Sequence, residues 1–340
     1  MICHSNASAE RSCSVKRSKR DDASLIAELE PVAAGLLDRH IAAAREWFPH
    51  QYVPWSTGRD FDGPLGGEPW QEDQSRLDPA ARSALIVNLL TEDNLPGYHH
   101  ALAMNSTREG AWGEWLNRWT AEEDRHAASI RGYLHATRAV DPVALERARM
   151  AQVGTGFESP ATGCLSGMAY VALQELATRI SHRNTGRFSG DPVCEQLMVR
   201  IAQDENLHMV FYREVLRSAL EIAPDQVLVA VEENVRSFRM PGHAMPGFAA
   251  MAAQIAIAGV YDLRIHHDDV LIPLLRNLKI FDLQGLGPRG EQARASLAAH
   301  LEGLDARAGV FVERRAQALA ARQRRGHEDR TSAPAAQVSG

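Results

Sequence analysis

Six residues form a repeated pattern. Glu92 is followed 31 residues later by Glu123 and then His126, and Glu175 is followed 30 residues later by Glu205 and then His208. Each second element reads Glu-x-x-His. On an α-helix, residues three apart share a face, so each motif offers one carboxylate and one imidazole to the same point in space. The lone Glu upstream adds a further carboxylate from the preceding helix. With 14 His in 340 residues, about one Glu-x-x-His is expected by chance. Two copies, each with a Glu at nearly the same distance upstream, should arise by chance only on the order of a few per cent of the time. The spacing also suits a helical hairpin: ~30 residues at ~1.5 Å rise carry the chain ~20 Å out along one helix and back along the next, so the later donors return to the level of the first.

The neighbours of these residues are apolar. One helical turn or two from Glu123 stand Leu116, Trp119, Ala127 and Ile130; around Glu205 stand Met198, Ile201, Met209 and Tyr212; before Glu175 come Met168, Val171 and Ala172. A carboxylate buried among such side chains costs several kcal/mol unless compensated, and otherwise takes up a proton. Two divalent cations would balance four carboxylates, with a neutral imidazole completing each coordination sphere. Carboxylate and imidazole donors suit iron or manganese better than zinc. Thiolate ligation is disfavoured, because Cys3, Cys13, Cys164 and Cys194 form no Cys-x-x-Cys pair. A helical core in which Glu and His merely pair with one another is the bland alternative, and the doubling of the motif weighs against it. The implied fold is all-α: a ferritin-like four-helix bundle core carrying a di-iron site, with additional flanking helices.

Composition is compatible with that fold. Apolar residues make up 45 % of the chain, enough for a substantial core, and the net charge of -6 argues against general nucleic-acid affinity. The longest apolar stretch, Phe248 to Tyr261, is interrupted by Gln254 and is too short to span a bilayer. Four scattered cysteines fit a reducing compartment. Residues 1–22 are polar, Ser-rich and basic, and read as a disordered arm; 23–324 read as one helical domain, and 325–340 as a fraying tail. Asp-Pro at 78, 141 and 191 reads each time as an Asp cap with Pro at the first helical position. Helices are expected near 23–47, 78–104, 108–138, 141–150, 162–186, 191–221, 225–238, 246–276 and 290–324. Pro96 should kink the second of these beside Glu92, unless that helix ends earlier. The stretch from Phe48 to Asp78 is the longest irregular segment. Gly285-Leu286-Gly287-Pro288-Arg289-Gly290 matches a dinucleotide-binding fingerprint in form, but lacks a preceding strand and reads as a helix-to-helix turn.

Four blocks around the donors resemble the soluble acyl-ACP desaturases of plastids and actinobacteria. They are Thr91-Glu92-Asp93-Asn94-Leu95-Pro96-x-Tyr98, Trp119-Thr120-Ala121-Glu122-Glu123-Asp124-Arg125-His126, Gln174-Glu175 leading to Ile180-Ser181-His182-Arg183-Asn184-Thr185, and Asp204-Glu205-Asn206-Leu207-His208. The resemblance runs from roughly Leu25 to Arg315; the segment Ala101 to Ser106 departs from the plant enzymes. It implies that Glu92, Glu123, His126, Glu175, Glu205 and His208 bind two irons, and that Thr178 lies beside the oxygen-binding face. It further implies that Trp47, Asp204 and His126 form a hydrogen-bonded route toward one iron.

The activity so implied is introduction of a cis double bond into a saturated acyl chain carried on acyl carrier protein, in fatty acid biosynthesis. Oxygen is the co-substrate, and electrons come from an external ferredoxin and its reductase, since nothing in the chain resembles a ferredoxin or flavin domain. A homodimer in a bacterial cytoplasm is implied, with the plastid stroma the weaker alternative. Acyl carrier protein is acidic, and Arg39 and Arg45 before Trp47, with Arg179 and Arg183 beside Glu175, are candidates to meet it. Two other readings share the six donors: a di-iron oxygenase acting on a non-acyl substrate, and a ferritin-type iron-storage protein.

Overall fold

The computed structural model describes residues 20–159 and 161–332, and among these the chain is helical apart from loops and one isolated bridge, Phe61 with Glu68. In chain order the helices are α1 (Asp22–Ala43), α2 (Pro79–Glu92), α3 (Leu95–Asn105), α4 (Gly110–Ala136), α5 (Pro142–Thr155), α6 (Cys164–Ser189), α7 (Pro192–Ile222), α8 (Pro224–Ser237), α9 (Phe248–Ala258), α10 (Leu263–Ile265), α11 (Ile272–Asn277) and α12 (Pro288–Ser332). Helix α2 packs on α4 and α6, and α7 packs on α4 and α6, so these four close into a ring. This is the four-helix core of a ferritin-like bundle. Helix α1 lies over the seam between α4 and α7, α9 covers α2, and α8 carries α12 on the outside.

Local chemistry accounts for the helix starts. Asp78, Asp141 and Asp191 each accept a hydrogen bond from the backbone N–H two residues on, with Pro79, Pro142 and Pro192 in the first helical position. Such a cap is worth about 1 kcal/mol, and Pro loses nothing there because its missing N–H would be unpaired. In α7 the buried residues Leu197, Met198, Ile201, Met209, Tyr212, Val215 and Ala219 recur every three or four positions. Fully burying a large apolar side chain stabilises by roughly 1.5–3 kcal/mol. Glu205 and His208 fall inside this stripe, so the packing of their apolar neighbours forces them into the interior.

Several boundaries depart from expectation. The chain breaks after Glu92, and Pro96 sits in the first turn of α3 with Asn94 as its cap, so there is no single kinked helix over 78–104. A proline in the first turn breaks no backbone bond, whereas inside a helix it would. Helix α1 ends at Ala43, which leaves Arg45 and Trp47 in the segment beyond it and not on the helix. Its start is at Asp22, capped by Asp21, while residues 1–19 of the expected arm lie outside the described residues. The expected helix over 246–276 is broken at Gly259, whose φ of 76° closes α9 in the left-handed conformation, and the chain resumes at a bend of 76°. Helix α12 continues to Ser332, past the expected end at 324; residues 333–340 lie outside the described residues. The glycine-rich decoy is a turn, with the amides of Gly287 and Gly290 donating to Asp225 Oδ1. No single helix among the described residues is long and apolar enough to cross a membrane.

One side chain makes most of the ties to the irregular segment after Trp47, beside the Trp70 indole bond to the Arg138 carbonyl and the Arg82–Glu72 ion pair. Arg138, buried just beyond α4, donates to the carbonyls of Arg59, Asp60, Glu68 and Pro69 and to the side chain of Gln74. Its guanidinium also lies 4.1 Å from the Phe61 ring centroid. Losing one partner of a buried network leaves the other groups unpaired, at about 1–3 kcal/mol each. Arg138→Met should therefore lower stability by about 2–4 kcal/mol in chemical denaturation and open 59–74 to limited proteolysis; an unchanged midpoint and cleavage pattern would show that the loop is held by something else.

Candidate metal centre

All six sequence-predicted donors meet inside the ring. The last residue of α2 contributes Glu92, α4 contributes Glu123 and His126, α6 contributes Glu175, and α7 contributes Glu205 and His208. They fall into two overlapping groups, Glu92–Glu123–His126–Glu205 and Glu123–Glu175–Glu205–His208, in each of which the donor atoms lie within 4.8 Å of one another. Glu123 and Glu205 belong to both. The two imidazoles direct Nδ1 inward: His126 Nδ1 is 3.4 Å from Glu123 and 3.5 Å from Glu205, and His208 Nδ1 is 3.5 Å from Glu175.

The donors fit a pair of cations. Glu123 Oε1, Glu175 Oε2, both Glu205 oxygens and Nδ1 of both imidazoles are buried without a hydrogen-bond partner among the described residues. His208 Nδ1 lies 2.7 Å from Glu123 Oε1 yet lacks the alignment of a hydrogen bond. Unpaired buried polar atoms are rare and individually costly, and here they converge on one space. Four carboxylates and two imidazoles with two shared oxygen donors form the ligand set of a binuclear site of hard or borderline divalent metals. The two described thiols, Cys164 and Cys194, stand outside it; burial pushes them up to about 12 and about 11, so neither offers a thiolate.

Behind the inner donors lies a second, doubled pattern that sequence reasoning caught on one side only. His126 Nε2 faces Asp204 Oδ2 at 3.5 Å, and Trp47 Nε1 donates to the same oxygen at 2.7 Å. On the other side His208 Nε2 pairs with Glu122 Oε2 at 2.9 Å, and His40 Nε2 meets that oxygen at 2.9 Å. Asp204 directly precedes Glu205, and Glu122 directly precedes Glu123. Arginines one turn earlier hold each outer carboxylate: Arg200 bonds Asp204, and Arg118 bonds Glu122. The string Arg-x-x-x-(Asp/Glu)-Glu-x-x-His thus occurs twice, at 118–126 and 200–208, and would have signalled Glu122. Nothing local marked His40. Two more partners were missed as well: Trp119 Nε1 donates to Glu175 at 3.0 Å, and His182 Nε2 lies 2.9 Å from Glu92 and 3.3 Å from Glu205. The Thr178 hydroxyl donates back to the carbonyls of Gln174 and Glu175.

Electrostatics follow from burial and mutual repulsion. Burial, reinforced by the charges of Glu205 and Glu123, drives the Glu175 carboxyl well above its usual range; burial and Glu205 also raise Glu123. Against the same burial, the neighbouring Glu175 and the histidines His126, His182 and His208 hold Glu205 well below that range. Burial alone would lower His126 and His208, but the surrounding carboxylates outweigh it and hold both imidazoles well above the ordinary value. His182 is pushed up to about 9 in the same way. The metal-free interior is thus a reservoir of protons.

A small apolar cavity of about 30 Å³ lies toward one end of this site, lined by Leu102, Trp112, Trp115, Leu116, Met168 and Tyr212 among others. Met168 stands two turns before Glu175 and Tyr212 one turn after His208, so the cavity lies about 10 Å along the bundle from the donors. Leu102 and Ser106 bring the segment that departs from the plant enzymes into its wall. Of the four candidate arginines, Arg45, Arg179 and Arg183 share a groove; Arg39 is exposed and not part of it.

Fold and donor set together define a ferritin-like bundle with a candidate binuclear metal site. Within that class the chain belongs to the fatty acid desaturases: the family model matches residues 21–327. It is 46% identical over 296 residues to the Mycobacterium tuberculosis protein DesA1, assigned as an acyl-[acyl-carrier-protein] desaturase, covering 84% of this chain and 87% of DesA1. It is 30% identical to the chloroplastic stearoyl-[acyl-carrier-protein] 9-desaturase 5 of japonica rice, covering 78% and 72% of the two chains. The X-ray structure of M. tuberculosis DesA2, assigned as an acyl-ACP desaturase, superposes with a TM-score of 0.65 at 28% identity, over 79% of this chain and 99% of DesA2. The acyl-ACP desaturase resemblance of the four sequence blocks is borne out, and the chain is an oxidoreductase of that family.

Metal binding requires ionised carboxylates and neutral imidazoles, so the protons held by the metal-free site must leave. Affinity for ferrous or manganous ion should rise as pH is raised from about 6 to about 8, with net proton release read as a buffer-dependent enthalpy in calorimetry. Binding that is independent of pH and buffer would contradict the protonation pattern described above.

Proposed function

We propose that the protein is an oxygen- and ferredoxin-dependent acyl-ACP desaturase that holds two irons. Glu92, Glu123, His126 and Glu205 would hold one iron, and Glu123, Glu175, Glu205 and His208 the other. The observation that carries this reading is the pair of groups with two common carboxylates at the heart of a chain matched over almost its whole described length by the desaturase family. The reaction balances as a saturated acyl chain plus O₂, two electrons and two protons, giving a cis alkene and two waters. The bound iron pair supplies the redox chemistry, which no amino-acid side chain can, to remove hydrogens from an unactivated chain.

The remaining work belongs to the chain's own residues. The apolar side chains that line the cavity would guide the acyl chain and exclude water, and the chain would run on past them by about 10 Å to bring one pair of methylenes to the level of Glu123 and Glu175. Asp204 and Glu122 bond Nε2 of His126 and His208, which keeps each Nδ1 turned inward. Thr178, whose hydroxyl donates to the carbonyls of Gln174 and Glu175, would stand one turn from Glu175 beside the oxygen-binding face. Trp47, Asp204 and His126 make a continuous hydrogen-bonded path from outside the ring to the site. Reducing conditions such as a bacterial cytoplasm suit the free thiols, and a homodimer is the expected assembly.

Iron-loaded protein supplied with ferredoxin, its reductase and oxygen should desaturate one of a panel of saturated acyl-ACPs, with the double bond located by mass spectrometry. Turnover only on a non-acyl substrate would overturn the reading. Glu205→Ala, which removes a donor common to both groups, should lose most bound iron and all detectable activity together. Leu102→Trp should narrow the cavity and shift preference to shorter chains; an unchanged preference would place the acyl chain elsewhere.

A further inference from the structure

One polar residue interrupts an otherwise apolar stripe. The buried face of α1 is Leu25, Leu29, Ala33, Leu36 and Leu37, and His40 ends it in the last turn, only 5% exposed. A leucine there would continue the stripe, whereas an imidazole must be desolvated and carries one nitrogen, Nδ1, that is buried without a hydrogen-bond partner. Packing alone does not account for that choice. What the imidazole gains is Glu122: its Nε2 lies 2.9 Å from Oε2, the same oxygen that His208 Nε2 meets at 2.9 Å. Arg118 bonds the other oxygen, Oε1, at 2.6 Å, but its side chain is 42% exposed. His208 therefore shares its anchoring oxygen with a residue from a helix that supplies none of the six donors. His40, Glu122 and His208 are close enough to hold a cation themselves, yet their bonds to Oε2 already satisfy them as a triad, unlike the partnerless atoms of the inner site.

An ionised carboxylate only accepts, so both imidazoles present N–H at Nε2, and neutral His208 is left with its lone pair on Nδ1, the atom that faces the donors. The His40 ring is itself fixed. It stacks on His208 at 5.8 Å and stands edge-on to Trp115 at 5.0 Å, and Trp115 lies flat on Phe211 at 3.6 Å. Without His40, Glu122 can turn about its last torsion toward Arg118 and toward Arg125, 3.8 Å from Oε1, and loosen its hold on His208. His126 leans on Asp204 instead, with an indole as the further donor, so the opposite position does not depend on His40. We propose that His40 is a positioning residue for one metal only: by fixing Glu122 Oε2 it sets the tautomer and tilt of His208, and with them the affinity of the cation position built from Glu123, Glu175, Glu205 and His208. The inference rests on the two-metal reading of the site and gives its two positions separate supports.

The test titrates the metal-free full chain with manganous ion in a calorimeter and locates the ions by anomalous diffraction at the manganese edge. His40→Leu should weaken one of two binding steps about tenfold, the low end of the range for outer partners of a metal ligand, and leave the other within about twofold. In crystals loaded with less manganese than the sites can hold, the peak beside His208 should fall relative to the peak beside His126. His40→Gln, whose amide N–H can still donate to Oε2, should return the weakened step to within about threefold of wild type. Unchanged binding in His40→Leu, equal weakening of both steps, a fall confined to the His126 peak, or a His40→Gln variant as weak as His40→Leu would each overturn the proposal. Two manganese peaks in wild-type protein with no response to either variant would overturn the positioning role alone; a single peak in wild-type protein would overturn the two-metal reading with it.

Discussion

Four carboxylates cannot share a dry interior without positive charge to meet them, and the architecture of this protein is organised around that constraint. Glu92, Glu123, Glu175 and Glu205 are buried to within a few per cent of full enclosure, and among the described residues relief comes from protons on Glu175, Glu123 and the imidazoles and from the Trp119 indole. Leaving charges of this kind uncompensated would cost several kcal/mol each, a large share of the net stability of any fold. The apolar stripes of α4, α6 and α7 hold the carboxylates there regardless, because withdrawing them would also expose leucines, methionines and tryptophans. Stability is thus committed to presenting the donors before any cation arrives.

The second layer has an approximate two-fold plan with one break in it. Each inward histidine leans on the carboxylate that precedes the opposite shared glutamate, and each such carboxylate leans on an arginine one turn earlier. The outermost partner differs. On one side it is the Trp47 indole, stacked at 6.3 Å on His126 and overhung by Arg125 and Arg200. On the other it is His40, packed edge-on against Trp115 at 5.0 Å. One side therefore ends beneath a basic groove and the other among aromatic side chains at the wall of the apolar cavity.

Legibility in the sequence divided along physical lines. The six donors were readable because helical periodicity places residues three apart on one face, and the three Asp-Pro caps because they act over two residues. The helix boundaries at Glu92, Ala43 and Gly259 were not. There the outcome turned on whether a proline would sit in a first turn or an interior, and on a left-handed glycine, choices that the packing of the remaining chain decides. Trp47 and Asp204 were reached through family resemblance. Glu122 was readable in principle from the doubled nine-residue string. His40, His182 and Trp119 reach the site across 56 to 90 positions of sequence, and only the closed ring brings them in.

Anomalous diffraction at the iron edge from crystals of the iron-loaded protein tests the central claim most directly. Two peaks inside the ring, each within coordination distance of one histidine Nδ1 and with Glu123 and Glu205 touching both, are the predicted result. A single peak, or iron held away from these six side chains, would contradict the account.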